Sequence, residues 1–167
     1  MRQNTVYRAR TTAAKAAQQK ARRQMQTASL IYTLIGAALT IAVLAINRPL
    51  FRGGGLSVLE LFYYLVAVAG LVIGWYFNIR YMSEYGSQAG WAHWTGLIFV
   101  NPASASAAQD LVLANLLIFP AWTFIEARRA GIRAGWLYFP MSLLTSYAFA
   151  LALFLALRER QRRIASL

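Results

Sequence analysis

The chain has no cysteine, one histidine and only five acidic residues among its 167 positions. Without cysteine there are no disulfides, thiolate metal sites or cysteine nucleophiles, and the redox compartment leaves no mark. With His93 as the single histidine, a metal site would need other ligand types, and no cluster of them is visible in the spacing. Acid–base chemistry is confined to Glu60, Glu84, Asp110, Glu126 and Glu159. Also missing are a phosphate-cradling glycine loop, a pair of metal ligands on one helix, and a serine in a nucleophile context. No polar residue repeats along one helix face to form a relay, which leaves a transporter or channel as the least supported class.

What the chain does have is apolar. It is 59% hydrophobic and 13% charged, with a mean hydropathy of +0.44. An average soluble domain is about 25% charged. The composition predicts an all-α membrane protein. We expect a four-helix transmembrane bundle with a basic N-terminal arm and an interfacial or re-entrant segment between helices 2 and 3. Three stretches follow: the arm over 1–28, a transmembrane hairpin with the interfacial segment over 29–99, and a two-helix unit with a basic tail over 100–167. The net charge of +12 is concentrated at the tails, with seven of the seventeen Lys and Arg before residue 24 and four after residue 157. The positive-inside rule then predicts both termini on the cytoplasmic side, of either a plasma membrane or an internal energy-converting membrane.

The arm imitates an organellar transit peptide in composition and is expected to be retained. Arg8, Lys15, Lys20, Arg22 and Arg23 suit an anionic surface, each basic residue adding about 1 kcal/mol of attraction near an acidic leaflet. No nucleic-acid partner is expected, since the arm's one aromatic residue is Tyr7 and there is no stacking platform. The first span, Ser29 to Ile46, is stopped by Asn47-Arg48-Pro49. Ser57-Val-Leu-Glu60 reads as a capping box opening the second span. Gly70 and Gly74 form a GxxxG pair suited to close helix packing. Between Met82 and Ser106 the aromatic segment is too short to cross a bilayer. In it Trp91 and Trp94 share one face at head-group level, with His93 as an interfacial hydrogen-bonding residue or an axial donor to a chlorophyll or haem.

The third span is predicted to start at a Ser106-Ala-Ala-Gln109 capping box, with Asp110 in its first turn. Pro120 should free the carbonyl of Leu116 and bend the rod. Asn115 needs a partner inside the bundle. Asp110 and Glu126, sixteen residues apart, are about 24 Å apart along a helix and cannot form one acid–base pair. Arg129, three residues after Glu126, offers it a local ion pair. The fourth span is expected from Gly135 to Leu157, with Ser142, Ser146 and Ala150 as a small-residue packing stripe.

Asn101-Pro-Ala, Asp110-Leu, Glu126-Ala-Arg-Arg-Ala-Gly-Ile-Arg133, Trp136-Leu-Tyr138 and the run Ser146 to Glu159 together resemble a small bacterial membrane family described as terpene-cyclase-like two-transmembrane proteins, a domain of unknown function. The resemblance covers roughly residues 100–160 and departs from the family pattern at Ala152, where a proline is expected. It puts forward Asn101, Asp110, Glu126 and Arg129, and it implies a relationship to isoprenoid cyclases.

Two functions of different class follow. The first is a non-catalytic accessory or structural subunit of a larger membrane complex or homo-oligomer. No cofactor is demanded; lipid, carotenoid or chlorophyll between the helices is the ligand class the residues would suit, with His93, Trp91, Trp94, Asn101 and Asn115 as contacts. The second is a membrane-embedded isoprenoid cyclase, with Glu60 and Glu126 as acid and base, Asp110 as a further carboxylate, and Tyr63, Tyr64, Trp122 and Tyr138 facing a carbocation.

Overall fold

A computed structural model describes residues 2–53 and 55–166; for residues 2–15, 18, 21, 22, 24–26, 28 and 29 it describes the backbone alone. The side chains of Arg8, Lys15 and Arg22 therefore lie outside the described residues, whereas Lys20 and Arg23 are exposed. Among the described residues there are six helices and no strand: α1 Arg2–Ile46, α2 Val58–Tyr85, α3 Trp91–Ile98, α4 Pro102–Ala130, α5 Tyr138–Leu144 and α6 Tyr147–Ala165.

The arm and the first span form one helix. Nothing between Arg2 and Ile46 interrupts a helix apart from Gly36, so α1 continues for 45 residues. It ends where Asn47 and Pro49 do stop it, and Arg48–Arg52 form a 3-10 turn. Asn47 is buried and clamps a segment 86 residues away: its Nδ2 donates to the Arg133 carbonyl (3.1 Å) and its Oδ1 accepts from the Arg133 amide (2.9 Å). Asn47→Ala should cost about 1–3 kcal/mol, because both backbone groups lose their partner. A lowered unfolding midpoint in detergent, with α-helical content unchanged, is the expected reading.

Ser57 caps α2 as its sequence predicts, its Oγ accepting from the Glu60 amide at 3.0 Å. The other half of the capping box does not form, because the Glu60 carboxylate is engaged elsewhere. After α2 the chain makes a 3-10 turn at Gly86–Gln88 and the short helix α3, in which no residue is fully buried. The aromatic segment is thus a short, half-exposed helix beside α4.

Helix α4 starts four residues before the expected Ser106 cap. Asn101 is the N-cap, its Oδ1 accepting from the Ser104 amide at 2.9 Å, and Pro102 occupies the first turn, where a missing N–H costs nothing. Pro120 does not simply kink the rod. Residues Ala114–Ile118 widen into a π-helical turn just before it, which accommodates a ring that would otherwise meet the Leu116 carbonyl. The helix closes at Gly131, whose φ of 71° lets its amide and that of Ile132 return to the last carbonyls.

The largest departure from the sequence reading is the C-terminal third. The fourth helix expected over 135–157 is broken at Thr145 (φ −119°, ψ −86°), and α5 and α6 form a hairpin. The stripe of Ser142, Ser146 and Ala150 is divided between them. Contacts fix the directions. Phe119 meets Tyr147, Trp122 meets Phe154 and Glu126 meets Arg158, so α6 runs parallel to α4. Gly74 meets Ser146, Gly70 meets Phe149 and Glu60 meets Arg160, so α6 runs antiparallel to α2. Both ends of the hairpin therefore lie at one end of the bundle, with Asn47, Glu60 and Glu126; the N-terminal arm and α3 lie at the other. The arm and the C-terminal arginines thus sit at opposite ends of the bundle.

Core packing follows the same plan. Helix α6 contributes Phe149, Ala150, Ala152, Leu153, Phe154, Ala156 and Leu157 to the buried set, and Tyr138 and Met141 of α5 are fully enclosed against it. The helices around this hairpin bury little. Helix α2 and helix α4 are each long and apolar enough to cross a membrane, with 11% and 17% of their most apolar windows buried; Leu30–Ile46 is a shorter apolar stretch.

Candidate functional site

Titratable side chains converge where α6 returns to the loop between α1 and α2. Glu60 has no exposed surface and is held from two sides: Oε1 accepts from Arg160 (2.6 Å) and Oε2 from Arg163 (2.8 Å). Arg160 is itself buried. Its Nε donates to the Leu50 carbonyl at 2.7 Å, one terminal nitrogen reaches Gly53, and its guanidinium lies over the Phe51 ring at 5.0 Å. Arg163 also donates to the Gly55 carbonyl. Two guanidiniums are thus wrapped by one carboxylate and three loop carbonyls, and the cluster carries a net charge of +1. A carboxylate with both oxygens occupied and no exposed surface has no open face from which a substrate could take a proton.

Glu126 lies at the same end, partly exposed and paired through one oxygen. Its expected partner Arg129 is exposed; instead Arg158, 32 residues on, donates to Oε1 at 2.6 Å. The parallel return of α6 beside α4 explains the exchange. Asp110 is exposed near the other end and accepts from the adjacent Gln109 side chain. Of the three carboxylates proposed as acid or base, Glu60 is sealed in ion pairs, Glu126 is paired through one oxygen and partly exposed, and Asp110 lies at the opposite end of α4.

Of the aromatic residues proposed to face a carbocation, Tyr63 meets Phe62 and two others pack on Phe154. Trp122 and Tyr138 each meet Phe154 edge-on, with centroids 5.0 Å apart. They fill the centre of the hairpin. Asn115 does find its partner inside the bundle: it sits in the π-helical turn and its Oδ1 accepts from Ser142 at 2.8 Å. Asn101 serves as the cap of α4.

At the arm end, His93 is set by its neighbours. The Tyr81 hydroxyl accepts from the Gly90 amide and donates to the Gly90 carbonyl, both at 3.1 Å, and meets His93 Nδ1 at 2.9 Å. The imidazole stacks on Tyr81 and lies 4.7 Å from the Tyr85 ring. Trp91 and Trp94 pack edge-to-face beside it, 5.8 Å apart. Among the described residues no group of three His, Asp or Glu side chains converges as a metal site would require.

Asn47, Arg158, Arg160 and Arg163 were missed by the sequence reading as anchoring residues. Their partners are 32 to 110 residues away, and local spacing carries no sign of them.

Residues 62–160 match the model of a family described as "Protein of unknown function DUF2834". No curated protein and no solved structure matches the chain. The matched description names no reaction, so the terpene-cyclase-like label suggested by residues 100–160 finds no confirmation in it.

Proposed function

The chain belongs to that family, DUF2834, and we propose that it is an integral membrane protein acting as a non-catalytic accessory or structural subunit of a larger membrane complex. In this reading α1, α2 and α4 cross the bilayer, and the α5–α6 hairpin enters from the glutamate end without crossing. Ser146 lies opposite Gly74, fourteen residues along α2 from Glu60, which is about 21 Å. A hydrocarbon core is about 30 Å thick. Irregular backbone at such depth is tolerated only inside protein, and the break at Thr145 is enclosed by Gly36, Gly70 and Gly74.

The observation that carries the non-catalytic reading is the sealing of Glu60 and the pairing of Glu126 by arginines of α6, beside outer helix faces that stay apolar and exposed. Lipid, carotenoid or chlorophyll is the ligand class those faces suit, with the Trp91, His93, Trp94 cluster as its polar contact. No observation favours the cyclase alternative.

Mild-detergent extraction from the native membrane tests this, with co-migrating proteins read by mass spectrometry and bound chromophores by absorbance on the same fraction. Migration inside a large assembly is the expected result. Migration alone, or as a small homo-oligomer without chromophore, would sink the subunit reading.

A further inference from the structure

The hairpin changes the charge count on which membrane orientation depends. If the last helix crossed, the two basic tails would lie on one side and outvote the loops. Because it returns, the Lys and Arg residues fall into two nearly equal sets. The arm end holds the seven up to Arg23 together with Arg80, eight in all; the glutamate end holds Arg48, Arg52, the three in 128–133 and the four in 158–163, nine in all. Three of those nine, Arg158, Arg160 and Arg163, are bound to Glu126 and Glu60. Orientation is set by the difference in Lys and Arg within about 20 residues of the span ends, which counts Arg10, Lys15, Lys20, Arg22, Arg23 and Arg80 at the arm end against Arg48, Arg52, Arg128, Arg129 and Arg133 at the other, a difference close to zero.

We propose that this chain inserts into its membrane in both orientations, as two populations of similar size with opposite ends facing the cytoplasm. The inference rests on the three-crossing reading above. Neither end offers the translocation machinery a clear excess of positive charge to retain. Once folded, the Glu60–Arg160 cluster and the apex packing at Gly36, Gly70 and Gly74 hold the same bundle whichever way it faces, since none of those contacts refers to a side of the membrane.

The lack of cysteine gives a clean test. Gln19→Cys and Ser166→Cys, each made alone in the full chain, place one thiol at an exposed position at either end without altering the charge count. Carbonate-washed membranes establish insertion, and a membrane-impermeant maleimide is applied to intact cells, with permeabilised cells giving the total. The expected result is labelling of about half of each variant from outside. Arg48→Ala with Arg52→Ala should then raise outside labelling of Ser166→Cys up to about two-fold, and Lys20→Ala with Arg23→Ala should lower it. Complete one-sided labelling, with the two positions on opposite sides, overturns dual insertion and leaves three crossings standing. Both positions on the same side overturns the three-crossing reading as well, and loss of the chain from washed membranes overturns membrane insertion itself.

Discussion

Arg160→Leu should destabilise the protein by about 3–5 kcal/mol, the cost of breaking one side of a buried, hydrogen-bonded ion pair. Leucine keeps much of the volume but leaves Glu60 buried with one guanidinium partner, and it strips donors from the carbonyls of Leu50 and Gly53. Loss should appear as a large fall in the unfolding midpoint in detergent. Glu60→Gln should cost less, because an amide still accepts from Arg160 and Arg163. Glu60→Leu combined with Arg160→Leu should cost less than the two single changes added together, since the worst feature of each, an unpaired buried charge, is partly removed by the other. A midpoint for Arg160→Leu within experimental error of the parent would mean that the cluster does not anchor α6.

The same cluster shows where sequence reasoning reached its limit. Ser57 as a cap, Asn47 and Pro49 as a stop, and the existence of apolar helices on either side all follow from local chemistry, and the structure contains them. So does the need of Asn115 for a partner. Asn101-Pro102 was equally local: an amide side chain followed by proline is a helix-start signal, and it outranks the Ser106 pattern that was preferred. The return of α6 was not legible. Pro140 lies early enough in α5 to be accommodated, and a Thr-Ser pair does not by itself end a helix. What breaks the chain there is tertiary. Three glycines on two other helices admit the turn, and arginines at the far end of α6 fix its direction. Spacing pairs Glu126 with Arg129 and makes Glu60 a cap; their true partners come from a helix whose direction no periodicity records.

The second large effect is expected at the other end of α6. A Cβ at Gly74 would lie 2.9 Å from the Ser146 Cβ, one at Gly70 3.0 Å from both the Ala148 Cβ and the Phe149 amide, and one at Gly36 2.9 Å from a Thr145 methyl. These approaches leave no room for a side chain, so Gly74→Leu must push the apex of the hairpin away from α2. Overpacking of this kind costs about 1–3 kcal/mol and more when backbone has to move. Gly70→Val should behave alike, since the nearest atoms include backbone. Gly53→Ala is the control: nothing lies within 4 Å of its Cβ position, and its midpoint should stay near that of the parent. Gly74 and Glu60 are about 21 Å apart along α2, far enough for independent effects to add. If Gly74→Leu and Arg160→Leu together cost the sum of their separate losses, the hairpin is held by two separate fastenings, one polar and one steric. If the second change costs little once the first is made, α5 and α6 dock as one body, released as soon as either end is undone.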